Sequence, residues 1–173
     1  MNATSPVLVR PADESDAEAV ARVHVAAWRA AYRDIIPDDV LDRLDIHSRA
    51  EHWASHLAEG SSHTLVAEKE SDVVGFVSFG ATRDEDDDAA KVGEIRAMYV
   101  APHMWGQGAG WALGISAIED LAEEGFEEVT LWVLDDNQRA QRFYEQLGFE
   151  FDGMTKEVTI GVPLEVMRYR RII

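Results

Sequence analysis

No cysteine occurs in the 173-residue chain, which excludes disulfides, a thiolate nucleophile and any zinc–thiolate site. Lysine is scarce too: there are three, within 16 Lys+Arg set against 33 Asp+Glu, and the formal net charge is −17. Phosphate contacts need clustered cations, so a general nucleic-acid binder is excluded. An anionic membrane surface would repel the same chain. No apolar run reaches the roughly eighteen residues that cross a bilayer. The start, Met1-Asn-Ala-Thr-Ser-Pro-Val-Leu-Val-Arg10, has no basic stretch followed by an apolar one. It does not read as a signal peptide, and its Asn2-Ala3-Thr4 sequon reads as chance. Together these absences predict a cytoplasmic, acidic protein.

What is present is ordinary for a folded chain. With 46% hydrophobic residues, a core can be buried within one domain over residues 1–173. Pro6–Arg10 reads as a short strand. Ser15-Asp-Ala-Glu18 reads as a capping box opening a helix that carries Val20, Val23, Ala27 and Ala31 on one stripe and runs to about Tyr32. Helical pieces follow over Asp38–Leu44 and Ser48–Leu57. Strands are expected at His63–Glu68 and Val73–Gly80, joined at Ser71-Asp72. The run Arg83-Asp-Glu-Asp-Asp-Asp88 reads as a solvated loop. Next come a strand over Val92–Val100, a loop over Pro102–Gly108 and a helix over Ala109–Glu124. Val129–Leu134 is apolar on both faces, as a central strand should be. Asp135 or Asp136 is expected to cap a helix ending at Gly148. Phe149–Val158 and Leu164–Arg171 form a closing hairpin.

Two stretches carry chemistry. In Met98-Tyr-Val-Ala-Pro-His-Met-Trp-Gly-Gln-Gly-Ala-Gly110, a strand ends in a loop that feeds straight into a helix N-terminus. Free N–H groups and the helix dipole there suit an anion such as a pyrophosphate. A turn followed by a glycine-tolerant helix start is the plain alternative. The stretch lacks the Lys-Ser/Thr of a P-loop and the G-x-G-x-x-G of a dinucleotide fingerprint. In Asn137-Gln-Arg-Ala-Gln-Arg-Phe-Tyr144-Glu-Gln-Leu-Gly148-Phe149, residues Asn137, Ala140, Tyr144 and Leu147 share roughly one helical face. Tyr144 adds a hydroxyl that packing alone does not require.

These two stretches, in this order, resemble the GNAT superfamily of acyl-CoA-dependent N-acetyltransferases. Val9–Asp16, Trp28-x-x-x-Tyr32, Glu94–Val100 and Glu165–Arg170 extend the resemblance over nearly the whole chain. It implies a single α/β domain, a mixed and mostly antiparallel twisted sheet with helices on both faces, splayed near Val100 and Trp132. By that resemblance, backbone groups at Met98 and Val100 pair with a pantetheine arm. Amides across Gly106, Gln107, Gly108, Ala109 and Gly110 hold the pyrophosphate. Asn137 contacts the arm, and Tyr144 protonates the departing thiolate. The implied reaction moves an acetyl group from acetyl-CoA to a primary amine of a small molecule or peptide by direct attack, without a metal. An alternative on the same fold is a catalytically silent acyl-CoA-binding or sensing domain. Dimerisation is common in the family, and no pattern here specifies an interface.

Glu94, assigned to the strand face shared with Met98, is the candidate base, acting through water; the alternative is a salt-bridged strand carboxylate. One departure stands out. The family loop begins with Gln or Arg three residues before its closing G-x-G, and Trp105 holds that place. A side-chain donor is therefore missing, and Trp105 either covers the cofactor or packs on the surface. His52 and His56 have metal-ligand spacing but no third ligand, and they read as helix surface. Trp28 and Tyr32 are core or acceptor wall. The acidity reads either as attraction for a cationic amine or as solubility in a salty interior.

Overall fold

The structure, a computed structural model, describes residues 5–173; the residues before Ser5, sequon included, lie outside the described residues. Seven strands build one sheet: β1 (Leu8–Pro11), β2 (His63–Lys69), β3 (Asp72–Ala81), β4 (Val92–Val100), β5 (Glu128–Leu134), β6 (Glu150–Ile160) and β7 (Val162–Ile172). Their order is β1-β2-β3-β4-β5-β7-β6. Every neighbouring pair is antiparallel except β4 and β5. Among the described residues, no helix is long and apolar enough to cross a membrane.

Helices cover both faces. On one, α1 (Ala17–Ala31) and α3 (Ile46–Glu59) bury Val20, Val23 and Trp53 against Val66 and Phe76 of the sheet. On the other, α4 (Ala109–Glu123) and α5 (Gln138–Gln146) set Leu113, Leu121 and Leu147 against Val77, Phe79 and Leu131. Wholly buried leucines such as Leu113 contribute roughly 2 kcal/mol each. β5 feeds both layers, with Val129, Leu131 and Val133 on the α4 side and Trp132 and Leu134 in a third cluster with Tyr32, Ile36 and the short α2 (Asp38–Asp42). The two-faced apolar pattern of that strand thus has its cause.

Local details differ from expectation at three places. The first helix opens through a 3-10 turn at Glu14–Asp16, so the capping box is Asp13 with Asp16 instead of Ser15 with Glu18. Asn137, not Asp135 or Asp136, caps α5, its side chain accepting from Ala140 N at 3.2 Å. The β2–β3 turn is Glu70-Ser71, closed by Lys69 opposite Asp72.

The Arg83–Asp88 loop is not solvated throughout. The side chains of Asp84 and Asp87 are only 10% and 12% exposed, because Arg168 and Arg170 of β7 lie beneath them. Arg168 is itself buried, and donates to Asp84, Asp86, Asp87 and Asp152. Burial of acids requires paired cations, and these come from a strand more than eighty residues downstream.

Two backbone features place the site. β3 and β4 pair Ser78 with Ala97 and Phe79 with Ile95, which leaves Arg96 as the extra residue of a bulge. The bulge reverses the alternation of side chains. Met98 therefore packs with Ile95 on the α4 face, whereas Glu94, opposite Gly80, takes the face of Ser78, Ala97 and Tyr99. The expectation that Glu94 and Met98 share a face is corrected by that single residue. Second, the parallel β4–β5 ladder holds only Val92–Glu128, Gly93–Val129 and Glu94–Thr130. Beyond Glu94 the two strands part, as the splayed strands near Val100 and Trp132 were expected to do.

Candidate active site

A cleft of about 620 Å³ opens where β4 and β5 separate, with Ile95 to Val100 along one wall and Leu131 to Leu134 along the other. Ala101 N donates to Val74 O of β3 at 2.8 Å. Strand alternation turns the backbone groups of Val100 and Met98 the opposite way, into the gap. One of them is taken: Trp105 Nε1 donates to Val100 O at 2.8 Å. Met98 N–H, Met98 C=O and Val100 N–H remain for an extended chain to pair with.

At the mouth of the gap, Gly106 and Gly108 adopt φ of 75° and 90°, and a β-carbon at either would meet nothing within 4 Å. Gly108 is the N-cap of α4, so no side chain caps that helix, and its first turn holds no acid. The N–H groups of Ala109, Gly110 and Trp111 have no intrahelical acceptor. With the helix dipole they form a cradle for an anion. Gly110 has a different task, since a β-carbon there would lie 3.3 Å from Phe143 Cζ; its smallness lets α4 close on α5. Gln107 is not in the lining. Its side chain folds back to His103 O at 3.0 Å, and its backbone N–H donates to Met104 O.

Trp105 neither lies flat on the surface nor lids the gap alone. Its ring carries the Arg139 guanidinium at 3.6 Å from the centroid. Both residues line the cleft. Desolvation lowers the Arg139 pKa from its usual value. Sequence reading overlooked Arg139; its only local signal is a position two residues beyond the cap Asn137. Asn137 lines the cleft with Oδ1 committed to the cap and its NH2 turned to the Tyr32 hydroxyl, which leaves one N–H to offer.

Three tyrosines gather in the same cleft. Tyr144 of α5 rests edge-on against Phe143 and Phe149, with centroids 5.4 and 6.1 Å away. Tyr32 and Tyr99 bring their hydroxyls within 3.4 Å of each other. Burial, and then the neighbouring phenols, push Tyr144 and Tyr32 upward; burial raises Tyr99 as well. All three hold their protons at neutral pH. Tyr32 had been read as core or wall, and it is both: 8% exposed and part of the lining.

Glu94 sits at the apex, in the last pair of the β4–β5 ladder. It is 2% exposed, and Oε1 accepts from Arg83 Nε at 2.7 Å. It lies behind the lining, next to Ile95, which is part of it. Elsewhere, His56 Nε2 pairs with Ser62 Oγ at 2.7 Å. Among the described residues, the one group with metal-type ligands is Asp84, Asp86 and Asp87. Arg168 Nη1 already meets all three, at 3.4, 2.9 and 3.2 Å.

The family model described as "Acetyltransferase (GNAT) family" matches residues 25–149. The uncharacterized N-acetyltransferase YuaI of Bacillus subtilis is 35% identical over 167 residues, covering 91% of this chain and 93% of its own. An uncharacterized N-acetyltransferase of Archaeoglobus fulgidus is 31% identical, over 79% of this chain and 88% of its own. Among solved structures, PaiA N-acetyltransferase of Thermoplasma acidophilum, in complex with coenzyme A, superposes with TM-score 0.73 at 17% identity, over 97% of this chain and 99% of its own. YncA of Salmonella typhimurium, with acetyl-CoA, gives TM-score 0.72 at 23% identity, over 97% and 94%.

Proposed function

The chain belongs to the GNAT acetyltransferase family, and on that premise we propose that it transfers an acetyl group from acetyl-CoA to a primary amine of a small molecule or peptide by direct attack. The observation that carries this is the parting of β4 and β5 beyond Glu94 and Thr130, beside the uncapped start of α4 and with Tyr144 in the lining. The residues present fit an extended acyl-thioester with a diphosphate end. Met98 and the Val100 N–H offer strand-like pairing, the amides of Gly108 to Gly110 take the diphosphate, and Asn137 offers its remaining side-chain N–H to the arm. Arg139, held on Trp105, supplies the cation that the loop itself lacks.

The chemistry needs no nucleophile from the protein. The neutral amine nitrogen forms the new N–C bond as the thioester C–S bond breaks. Its excess proton passes through water to Glu94, whose Oε1 is held by Arg83 and whose Oε2 is left for that water. Tyr144, kept protonated by burial, gives its proton to the departing thiolate. A cytoplasmic setting is part of the same proposal.

Calorimetry with coenzyme A, followed by thiol-release assays over an amine panel, tests this. We expect binding and amine-dependent release. Binding without turnover would leave a silent acyl-CoA-binding domain, and no binding at millimolar concentration would remove the cofactor altogether.

A further inference from the structure

The charge of the chain and the charge of its cleft have opposite signs. Net charge is −17, yet no Asp or Glu lines the cleft, and its two charged lining residues are Arg96 and Arg139. The half away from the glycine loop is walled by Trp28, Tyr32, Tyr99, Trp132, Val158 and Ile160. One of these rings, Trp132, already holds protein cations, for Lys156 Nζ lies 4.0 Å from its centroid and the Arg168 guanidinium 5.7 Å from it. A ring that holds cations on its faces has little left to attract another. A multiply charged guest would leave charges desolvated without a carboxylate to meet them.

One donor is also poorly met. Trp28 Nε1 is buried in this half of the cleft and has the Tyr99 hydroxyl beside it, without a well-formed hydrogen bond. A buried N–H that is poorly paired is unfavourable. A carbonyl, carboxylate or hydroxyl oxygen on a bound molecule would satisfy it.

We propose that the acceptor is a monoamine whose nitrogen is carried on an aromatic or branched apolar body, with an oxygen acceptor nearby, and not a polycation. This rests on the acetyl-transfer reading above and narrows it. The step is unchanged: one N–C bond forms, one C–S bond breaks, and the thiolate leaves with a proton. Outside the lining, Glu94 at the apex is held by Arg83, and the loop beside Trp132 brings Asp84, Asp86 and Asp87. These three are engaged by Arg168 and Arg170, and Asp84 by Trp132 Nε1 as well, at 3.1 Å. The acidity of the chain therefore does not extend to the acceptor, which of the two readings of that acidity favours solubility over attraction for a cationic amine.

The test compares phenylalaninamide and leucinamide with spermidine and kanamycin on the full-length protein. Thiol release at saturating acetyl-CoA gives kcat/KM. Tryptophan fluorescence gives amine binding to the free protein and to its coenzyme A complex, independently of turnover. We expect the two apolar amides to exceed spermidine by about tenfold or more in both readouts, in keeping with one missing charge partner. Ile160→Glu, at a partly exposed position, should lower phenylalaninamide turnover and raise that of spermidine. Equal or better binding or turnover of either polycation overturns the inference, as does failure of both amides to bind. Absence of coenzyme A binding would instead sink the acetyl-transfer reading, while the amine titration on the free protein still decides the acceptor class.

Discussion

Arg139 and Trp105 form one stack, the guanidinium carbon 3.6 Å from the ring centroid, and the same indole donates to Val100 O. A single side chain thus ties α5, the glycine loop and the end of β4 together. It also holds a cation beside the helix start where a phosphate would sit. In the proposed function, Trp105 would stand in for the missing Gln or Arg by carrying an arginine.

Arg139→Gln should weaken coenzyme A about tenfold, the usual worth of one charge-assisted hydrogen bond. Pantetheine, which lacks the phosphates, should bind unchanged in the same calorimetric titration. An equal loss for both ligands would mean that Arg139 merely supports the fold. Trp105→Leu should reproduce the coenzyme A defect in part.

Tyr144→Phe should lower kcat by about a hundredfold and leave KM for acetyl-CoA within about twofold, as expected for an acid that acts on the leaving group. Because burial holds the phenol above its ordinary value, the wild-type rate should show no alkaline fall from this group below about pH 10. Unchanged turnover in the variant would remove Tyr144 as the proton donor.

Glu94→Gln should depress kcat by about a hundredfold and leave KM for acetyl-CoA within about twofold. Arg83→Gln frees Oε1 of the same carboxylate and should retain most of the rate. If Glu94→Gln turns over like the wild type, the base lies elsewhere and Glu94 is structural.

Arg168→Met should destabilise the protein by about 3 kcal/mol, because Asp84 would stay behind as a nearly buried unpaired charge and Arg170 alone would face Asp87 and Asp152. Arg168→Lys should recover only part, since one ammonium cannot replace a planar fork that reaches four carboxylates. Denaturant midpoints measure both. A loss below about 1 kcal/mol for the Met variant, typical of surface pairs, would show that the loop is solvated after all.

His24 sets an acid limit on stability. It accepts from Trp53 Nε1 at 3.2 Å and stacks on Tyr99. Burial first, and then Arg49 and His52, lower its pKa from 6.5 to about 4. The unfolded chain takes up the proton below 6.5 and the native one does not until about 4. Stability is therefore undiminished above pH 6.5 and declines as pH falls from there to 4, by about 3 kcal/mol at 1.36 kcal/mol per pH unit. In His24→Gln, the slope of unfolding free energy between pH 7 and 5 should become shallower; an identical slope would clear His24 of this role.

Much of the site could be read along the chain. Gly106, Gly108 and the helix behind them announce an anion cradle through local spacing. Asn137, Tyr144 and Leu147 fall on one helical face whatever lies opposite. The apolar faces of Val129–Leu134 mark a strand buried on both sides. Gln107, by contrast, stands in the motif but not in the cleft, because a loop residue can satisfy its amide locally.

Periodicity along the chain by itself determined the elements of a mixed α/β domain, since each depends on interactions between residues a few positions apart; the single sheet with helices on both faces followed from the family resemblance. Only the tertiary structure decided the rest. The bulge at Arg96 exists because β3 counts one residue fewer than β4, which no alternation within β4 reveals. The acids at 84, 86 and 87 are paired because β7 passes beneath them with Arg168 and Arg170. Tyr32, Tyr99, Tyr144 and Arg139 come together only where β4 and β5 part. Desolvation and charge pairing depend on what lies across space, so the charge of −17 could not disclose that the cleft within it has no carboxylate.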